Sequence, residues 1–275
     1  DYDGLFSGAV AYHWLAERQG NNVEMIGWDF GDEPVFVSQY HHAVYVIDLP
    51  PTAVDIPKMD ATTGLIWIDH HKSSIQEFPN GFDGVQIDGV AACRLAWQYF
   101  YQGAHGSGLN EFPTFQDFKD RKVSEPLALT LAGEYDVWDK SDADAERFQF
   151  GLTANRYRSA FDCLPLLHSG ATGDVELMCQ QGQAAMDWQA AFAADVCENR
   201  GYMVEFHGLK FWCLASAHAR NSMWFPQESV PKEADALMCY RIPGNGTISV
   251  SLYHKPGRED LDLSEIAKAN GGGGH

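Results

Sequence analysis

The apolar run Leu65-Ile66-Trp67-Ile68 stops at Asp69-His70-His71, and this junction constrains the fold more than any other segment. Four consecutive apolar residues followed by polar ones suit a strand buried on both faces. Three side chains that bind metal or move protons then stand where the strand gives out, which is where an open α/β sheet places its ligands. His-His pairs also occur as surface polar residues or as satisfied core histidines, so the triplet takes its meaning from its surroundings.

Aspartates recur at the ends of other apolar segments. Ala43-Val44-Tyr45-Val46-Ile47 runs into Asp48 and then Leu49-Pro50-Pro51, so a second strand delivers a carboxylate and stops. Asp1-Tyr2-Asp3-Gly4 precedes Leu5-Phe6-Ser7-Gly8-Ala9-Val10-Ala11 and reads as a tight turn opening a helix; carboxylates two apart in such a turn can face different cations. Asp136 closes a stretch from Pro126 to Ala132 that reads as an amphipathic helix. Hard carboxylate oxygens with one or two imidazoles suit Mn²⁺ or Mg²⁺, and the absence of nearby thiolates argues against structural zinc.

Helical and strand patterns alternate over residues 1–141. A helix is expected over about Phe6 to Gln19, strands at Val23 to Trp28, Ala43 to Asp48, Leu65 to Asp69 and Val85 to Ile87, and helices at Ala91 to Tyr101 and about Ser124 to Gly133. This predicts an α/β domain, a parallel sheet with helices on both faces. Residues 142–200 read as a helical linker region, with Met178, Met186, Trp188 and Phe192 as core. Residues 201–275 change character: strands at Tyr202 to Phe206, Leu209 to Ala215, Ala234 to Arg241 and Thr247 to His254, with turns at His207-Gly208 and Pro243-Gly244-Asn245-Gly246, give a smaller α+β domain. The glycine-rich stretch 103–110 lacks the Lys-Ser/Thr of a P-loop and reads as a connection.

With 275 residues, 45% hydrophobic, the chain can build one large or two modest cores. No apolar run approaches the roughly 20 residues needed to span a bilayer, and nothing resembles a secretory signal, so a soluble cytoplasmic protein is expected. The six cysteines form no C-x-x-C pair and read as reduced core thiols. A formal charge of -19 argues against long duplex nucleic acid, because an acidic surface repels a polyanion that a basic track would have to neutralise. Short phosphorylated substrates remain compatible, and bound cations would offset part of that charge.

In order along the chain, Asp1-x-Asp3-Gly4, the strand ending in Asp48, Asp69-His70-His71, and Asp136 after a helix resemble the four motifs of the DHH phosphoesterase superfamily. That group includes RecJ-type exonucleases, small oligoribonucleases, cyclic-dinucleotide phosphodiesterases and family II pyrophosphatases. Leu261-Asp262-Leu263-Ser264-Glu265-Ile266-Ala267-Lys268, then Asn270-Gly271-Gly272-Gly273-Gly274-His275, is similar to the glycine-rich signature of the DHHA1 domain. The family histidine upstream of the first aspartate, and the small-residue run after the glycine-rich histidine, do not occur here; the expectation is a trimmed version of a longer polypeptide.

The resemblance implies two Mn²⁺ (or Mg²⁺) ions. Asp1 and the upstream histidine would serve one, Asp3, His70 and Asp136 the other, and Asp48 would bridge them. Asp69 would orient its neighbours, and His71 would contact the scissile phosphate or protonate the leaving oxygen. His275, with Gly272, Gly273 and Gly274, would bind substrate. Lys255 and Arg258 could grip a terminal phosphate or be solvated surface, and Ser7 could donate to phosphate or cap its helix. The implied activity is hydrolysis of phosphodiester bonds in short oligonucleotides or small nucleotides by a two-metal-activated water, with no membrane partner; self-association is compatible. Hydrolysis of pyrophosphate or polyphosphate, or an inactive nucleotide-binding module, is the alternative.

Overall fold

Asp1 caps the first helix, α1 (Tyr2–Gln19), by accepting the backbone N–H of Gly4 at 2.9 Å. In the computed structural model the described residues are 1–20, 22–29, 32–37, 43–55, 64–79, 82–103, 112–168, 170–216, 222–242 and 246–272. After α1 come β1 (Val35–Phe36), β2 (Ala43–Ile47), β3 (Val54–Asp55), β4 (Gly64–Asp69), α2 (Lys72–Glu77), β5 (Asp83–Gln86), α3 (Ala92–Tyr101), α4 (Phe115–Lys119), α5 (Leu127–Asp136), α6 (Ala143–Ala154), α7 (Ala160–Cys163) and α8 (Thr172–Arg200). The remaining elements are β6 (Tyr202–Phe206), β7 (Leu209–Ser216), β8 (Ala236–Arg241), β9 (Ser249–His254) and α9 (Leu263–Ala269).

The chain is of the mixed α/β class, divided into two compact units, Asp1–Gln183 and Ala184–His275. In the first, β2, β4 and β5 form a parallel sheet with β4 in the middle. Alternation along β4 explains its continuous apolar run. Leu65 and Trp67 join Val46 in one cluster, against which Ile75 of α2, Phe78 and Phe82 pack. Ile68 faces the opposite way, into the main core with Phe6, Leu95, Leu129 and Phe148. Trp67 is fully buried and its Nε1–H donates to the Leu49 carbonyl at 2.9 Å. Truncating such a ring to alanine typically costs about 3–5 kcal/mol.

Three expectations for this unit are corrected. Residues 22–29 form no strand: Met25 packs on the core, Ile26 is exposed, and the Trp28 indole donates to the Glu33 carbonyl, so the segment is held by side chains and no ladder. The helix ending at Asp136 is not amphipathic, since every residue from Ala128 to Glu134 is buried; a helix covered all round has no polar face to show. The helices that the sequence set apart as a linker carry Ala145, Phe148, Leu152, Cys163 and Met178 into the main core.

In the second unit, the strand order is β6-β7-β8-β9, with β7 and β8 parallel and the outer pairs antiparallel. His207 and Gly208, both at positive φ, make the tight β6–β7 turn, as a right-handed twist favours. Val196 and Cys197 of α8 pack with Leu214, Leu237 and Cys239, whereas Leu263 of α9 packs with Phe211, Cys213 and Ala236. Trp188 and Phe192, expected in a core, are 65% and 45% exposed and stack on each other. All six cysteines are buried free thiols. Among the described residues, no helix is long and apolar enough to cross a membrane.

Candidate metal centre

Parallel register brings two strand ends together. Ile47 pairs with Ile68, so Asp48 and Asp69 follow as neighbours at one edge of the sheet, and the Asp48 N–H donates to the Ile68 carbonyl at 3.0 Å. Asp48 has φ 63°, a left-handed conformation that aspartate tolerates better than most residues and that turns the chain away from the strand.

Asp3 reaches the same place from α1. Helix α3 starts at Val90-Ala91-Ala92, without a side-chain cap of its own. Asp3 supplies one from outside, accepting the N–H groups of Ala92 and Cys93 at 2.8 and 2.7 Å. Its carboxylate is 1% exposed. Asp136, the last residue of α5, completes the group.

His70 lies in the middle. Its Nε2 is 3.3 Å from Asp48 Oδ1, 3.5 Å from Asp3 Oδ2 and 3.5 Å from Asp136 Oδ2. Ligand atoms of Asp3, His70 and Asp136 all lie within 4.8 Å of one another, as do those of Asp48, Asp69, His70 and His71. Burial and the charge of Asp3 push the Asp48 carboxyl up to about 7, and the same causes push Asp136 up to about 6. Burial opposes charge on His70, but its hydrogen bond to Asp48 and the fields of Asp3, Asp48 and Asp136 outweigh it and lift the imidazole to about 9.

Asp69 has a different task. Fully buried, its Oδ1 accepts from the backbone N–H of His70 at 2.7 Å and of His71 at 3.2 Å, and lies 2.7 Å from His71 Nδ1. The other oxygen, Oδ2, is buried with no hydrogen-bond partner. The bond to Asp69, partly offset by burial, raises the His71 pKa.

The donors fit a hard divalent cation: three carboxylates and one imidazole converge from four separate segments, and their mutual repulsion is what a cation relieves. Gly4 helps to keep the centre open, because a Cβ there would lie 3.3 Å from Asp48 Oδ2 and 3.4 Å from Asp1 Oδ1.

Asp3, Asp48, His70 and Asp136 are thus brought together. Asp1 stands at the rim, exposed, with Oδ1 engaged by the Gly4 N–H. Ser7 is no cap, since Asp1 fills that role; its hydroxyl is buried inside α1 without a partner. In the second unit, Arg258 pairs with Asp235 and Asp260, and Lys255 Nζ donates to the carbonyls of Pro231, Lys232 and Ala234, so both cations are engaged within the unit. The Gly272 N–H donates to the Ala267 carbonyl at 2.9 Å, closing α9. Gly273, Gly274 and His275 lie outside the described residues. Sequence reasoning missed the bare start of α3, whose only signal was a helix opening without Ser, Thr, Asp or Asn.

No family model matches this chain, and no curated protein does. Among solved structures it is similar to an uncharacterized protein from Helicobacter pylori G27, at 11% identity over 98% of this chain and 80% of that one, with a TM-score of 0.29. A likeness that weak carries no argument about fold or function.

Proposed function

We propose that this chain is a metal-dependent phosphohydrolase of the DHH type that cleaves phosphodiester bonds in short oligonucleotides or small nucleotides. The observation that carries the reading is the convergence of Asp3, Asp48 and Asp136 on the Nε2 of His70. Two Mn²⁺ or Mg²⁺ ions, when bound, supply a water of lowered pKa and neutralise charge on the phosphoryl oxygens. Asp3, His70 and Asp136 would hold one ion, Asp1 the second, and Asp48 both.

The remaining work belongs to the protein. An ionised carboxylate only accepts hydrogen bonds, so Asp69 makes Nδ1 of His71 the donor and directs proton transfer to Nε2. Because Asp69 also raises its pKa, His71 keeps more of its proton near neutrality and is suited to protonate the leaving oxygen. The net charge of -19 supports short substrates over long strands. The mixed sheet of the second unit, followed by Gly271-Gly272, supports a DHHA1-like substrate domain, and six free thiols support a reducing, cytoplasmic setting.

The test is hydrolysis of a 5′-phosphorylated dinucleotide, bis(4-nitrophenyl) phosphate, 4-nitrophenyl phosphate and pyrophosphate, each with Mn²⁺, Mg²⁺ or EDTA. Metal-dependent release of nucleoside monophosphate supports the reading. Turnover of pyrophosphate alone would replace it with a pyrophosphatase.

A further inference from the structure

We infer that the cavity beside the C-terminal end of α5 is a nucleobase subsite, with Trp138 and Phe115 as its stacking rings and Lys119 and Lys140 as its cations. The inference rests on the phosphohydrolase reading above and adds to it the part of the substrate that is recognised. The cavity has a volume of about 340 Å³, the size of a small-ligand site, and these four residues line it.

Trp138 is the most unusual residue there. It has φ 55°, a region that bulky side chains rarely occupy, and its ring is 67% exposed. The left-handed turn closes α5, with the Asp139 N–H donating to the Glu134 carbonyl at 2.8 Å; it is the ring's exposure on the cavity wall that suits ligand contact. Lys140 Nζ lies 4.9 Å from the ring centroid. Phe115 owes its place to Gly89, at φ 83°, where a Cβ would come within 2.9 Å of the ring.

The cavity adjoins the metal centre through the chain itself. Trp138 follows Asp136 by two residues, which limits their Cα separation to about 7.6 Å. Gly89 and Val90, also in the lining, come just before Ala92 and Cys93, whose N–H groups hold Asp3. Asp3, Asp48, His70 and Asp136 do not line the cavity themselves; chain continuity at Asp136–Trp138 and at Val90–Ala92 is what sets its aromatic lining beside the carboxylate cluster. The lining also carries Arg94, Glu134 and Asp139, so Lys119 and Lys140 stand in a mixed-charge wall and the aromatic rings carry the assignment. Pyrophosphate, which has no ring, would use neither aromatic wall.

The experiment separates binding from turnover. AMP, a product that is not turned over, and ribose 5-phosphate are titrated into the full chain with Mg²⁺ and followed by saturation-transfer NMR. AMP should bind more tightly than ribose 5-phosphate. Trp138→Ala and Phe115→Ala should each weaken AMP by about 5- to 150-fold, the usual range for one stacked base, and leave ribose 5-phosphate unchanged. Trp138→Phe should restore most of the loss. Equal affinity for the two ligands, or AMP affinity that survives both alanine variants, overturns the subsite even if the enzyme hydrolyses phosphodiesters. AMP binding that depends on Trp138 in a protein without phosphoesterase activity upholds the subsite and removes the enzymatic reading instead.

Discussion

Oδ1 of Asp69 lies 2.7 Å from the ring Nδ1 of His71, two residues along the chain, as the strand ends. The same oxygen takes the backbone N–H of His70, so one carboxylate sends two adjacent histidines to different objects. His70 faces three carboxylates and His71 leans on Asp69. His70→Ala should therefore weaken Mn²⁺ binding, whereas His71→Ala should leave Mn²⁺ affinity nearly intact and lower kcat by about 10²- to 10⁴-fold, the usual contribution of a general acid. Calorimetric Mn²⁺ titration beside steady-state kinetics checks both. A His71→Ala protein that has also lost its metal would remove the distinction.

Asp69→Asn removes the charge that raises the His71 pKa and keeps the shape. The His71 pKa should fall, read by NMR titration of its imidazole, and kcat near neutral pH should fall with it. Asp69→Ala should also destabilise the fold by about 1–3 kcal/mol, because backbone N–H groups lose their acceptor. Urea unfolding measures that, and an unchanged His71 pKa in Asp69→Asn would show that the carboxylate does not set it.

The cluster of Asp48, His70 and Asp136 makes stability depend on pH with a definite sign. Asp48 and Asp136 are raised from 3.8 to about 7 and about 6, and His70 from 6.5 to about 9. In every case the folded protein binds protons more tightly than the unfolded chain, so this contribution is full at low pH and is lost as pH rises through the folded pKa values. EDTA-treated protein should lose thermal stability between about pH 4 and 9 by this route. Asp48→Asn should flatten the part of the decline between pH 4 and 7. Added Mn²⁺ should restore stability most at the alkaline end, where the carboxylates are ionised; at 100 times Kd the gain is about 2.7 kcal/mol. Scanning calorimetry at stepped pH would contradict this if Mn²⁺ stabilised equally at pH 5 and pH 8.

Strands were legible wherever apolar runs met a definite stop. Leu65 to Ile68 read as a doubly buried strand because its neighbours cover both faces, and the hairpin at His207-Gly208 was marked by its turn. Residues 22–29 misled because their apolar side chains are used singly, Met25 inward and Ile26 outward. Periodicity could not tell α5, buried throughout from Ala128 to Glu134, from an amphipathic helix, nor see that Trp188 and Phe192 lie outside a core. Within the candidate site, residue types at strand ends pointed to Asp48 and Asp69, but the pairing of Arg258 with Asp235 and of Lys255 with three carbonyls depends on the fold. The capping of α3 by Asp3 joins residues 89 and 90 apart, and no local pattern encodes it.

The approach of α6 to α8 rests on Gly182, where a Cβ would fall 1.7 Å from the Arg147 carbonyl oxygen. Gly182→Ala forces the two backbones apart and should cost about 1–3 kcal/mol or more, against the small gain alanine brings to an open helix. Chemical denaturation decides it, and a variant as stable as the parent would place the two helices further apart than described.

The central claim is that Asp3, Asp48, His70 and Asp136 form a divalent-cation centre that hydrolyses phosphoesters. Its most direct test is Mn²⁺-dependent release of nucleoside monophosphate from a 5′-phosphorylated dinucleotide, by the parent and by Asp48→Asn, with Mn²⁺ binding measured on the same samples. The account predicts turnover by the parent that EDTA abolishes and Mn²⁺ restores, and loss of both activity and metal affinity in Asp48→Asn. Mn²⁺ binding and turnover that survive Asp48→Asn, or a parent that binds no divalent cation, would contradict it.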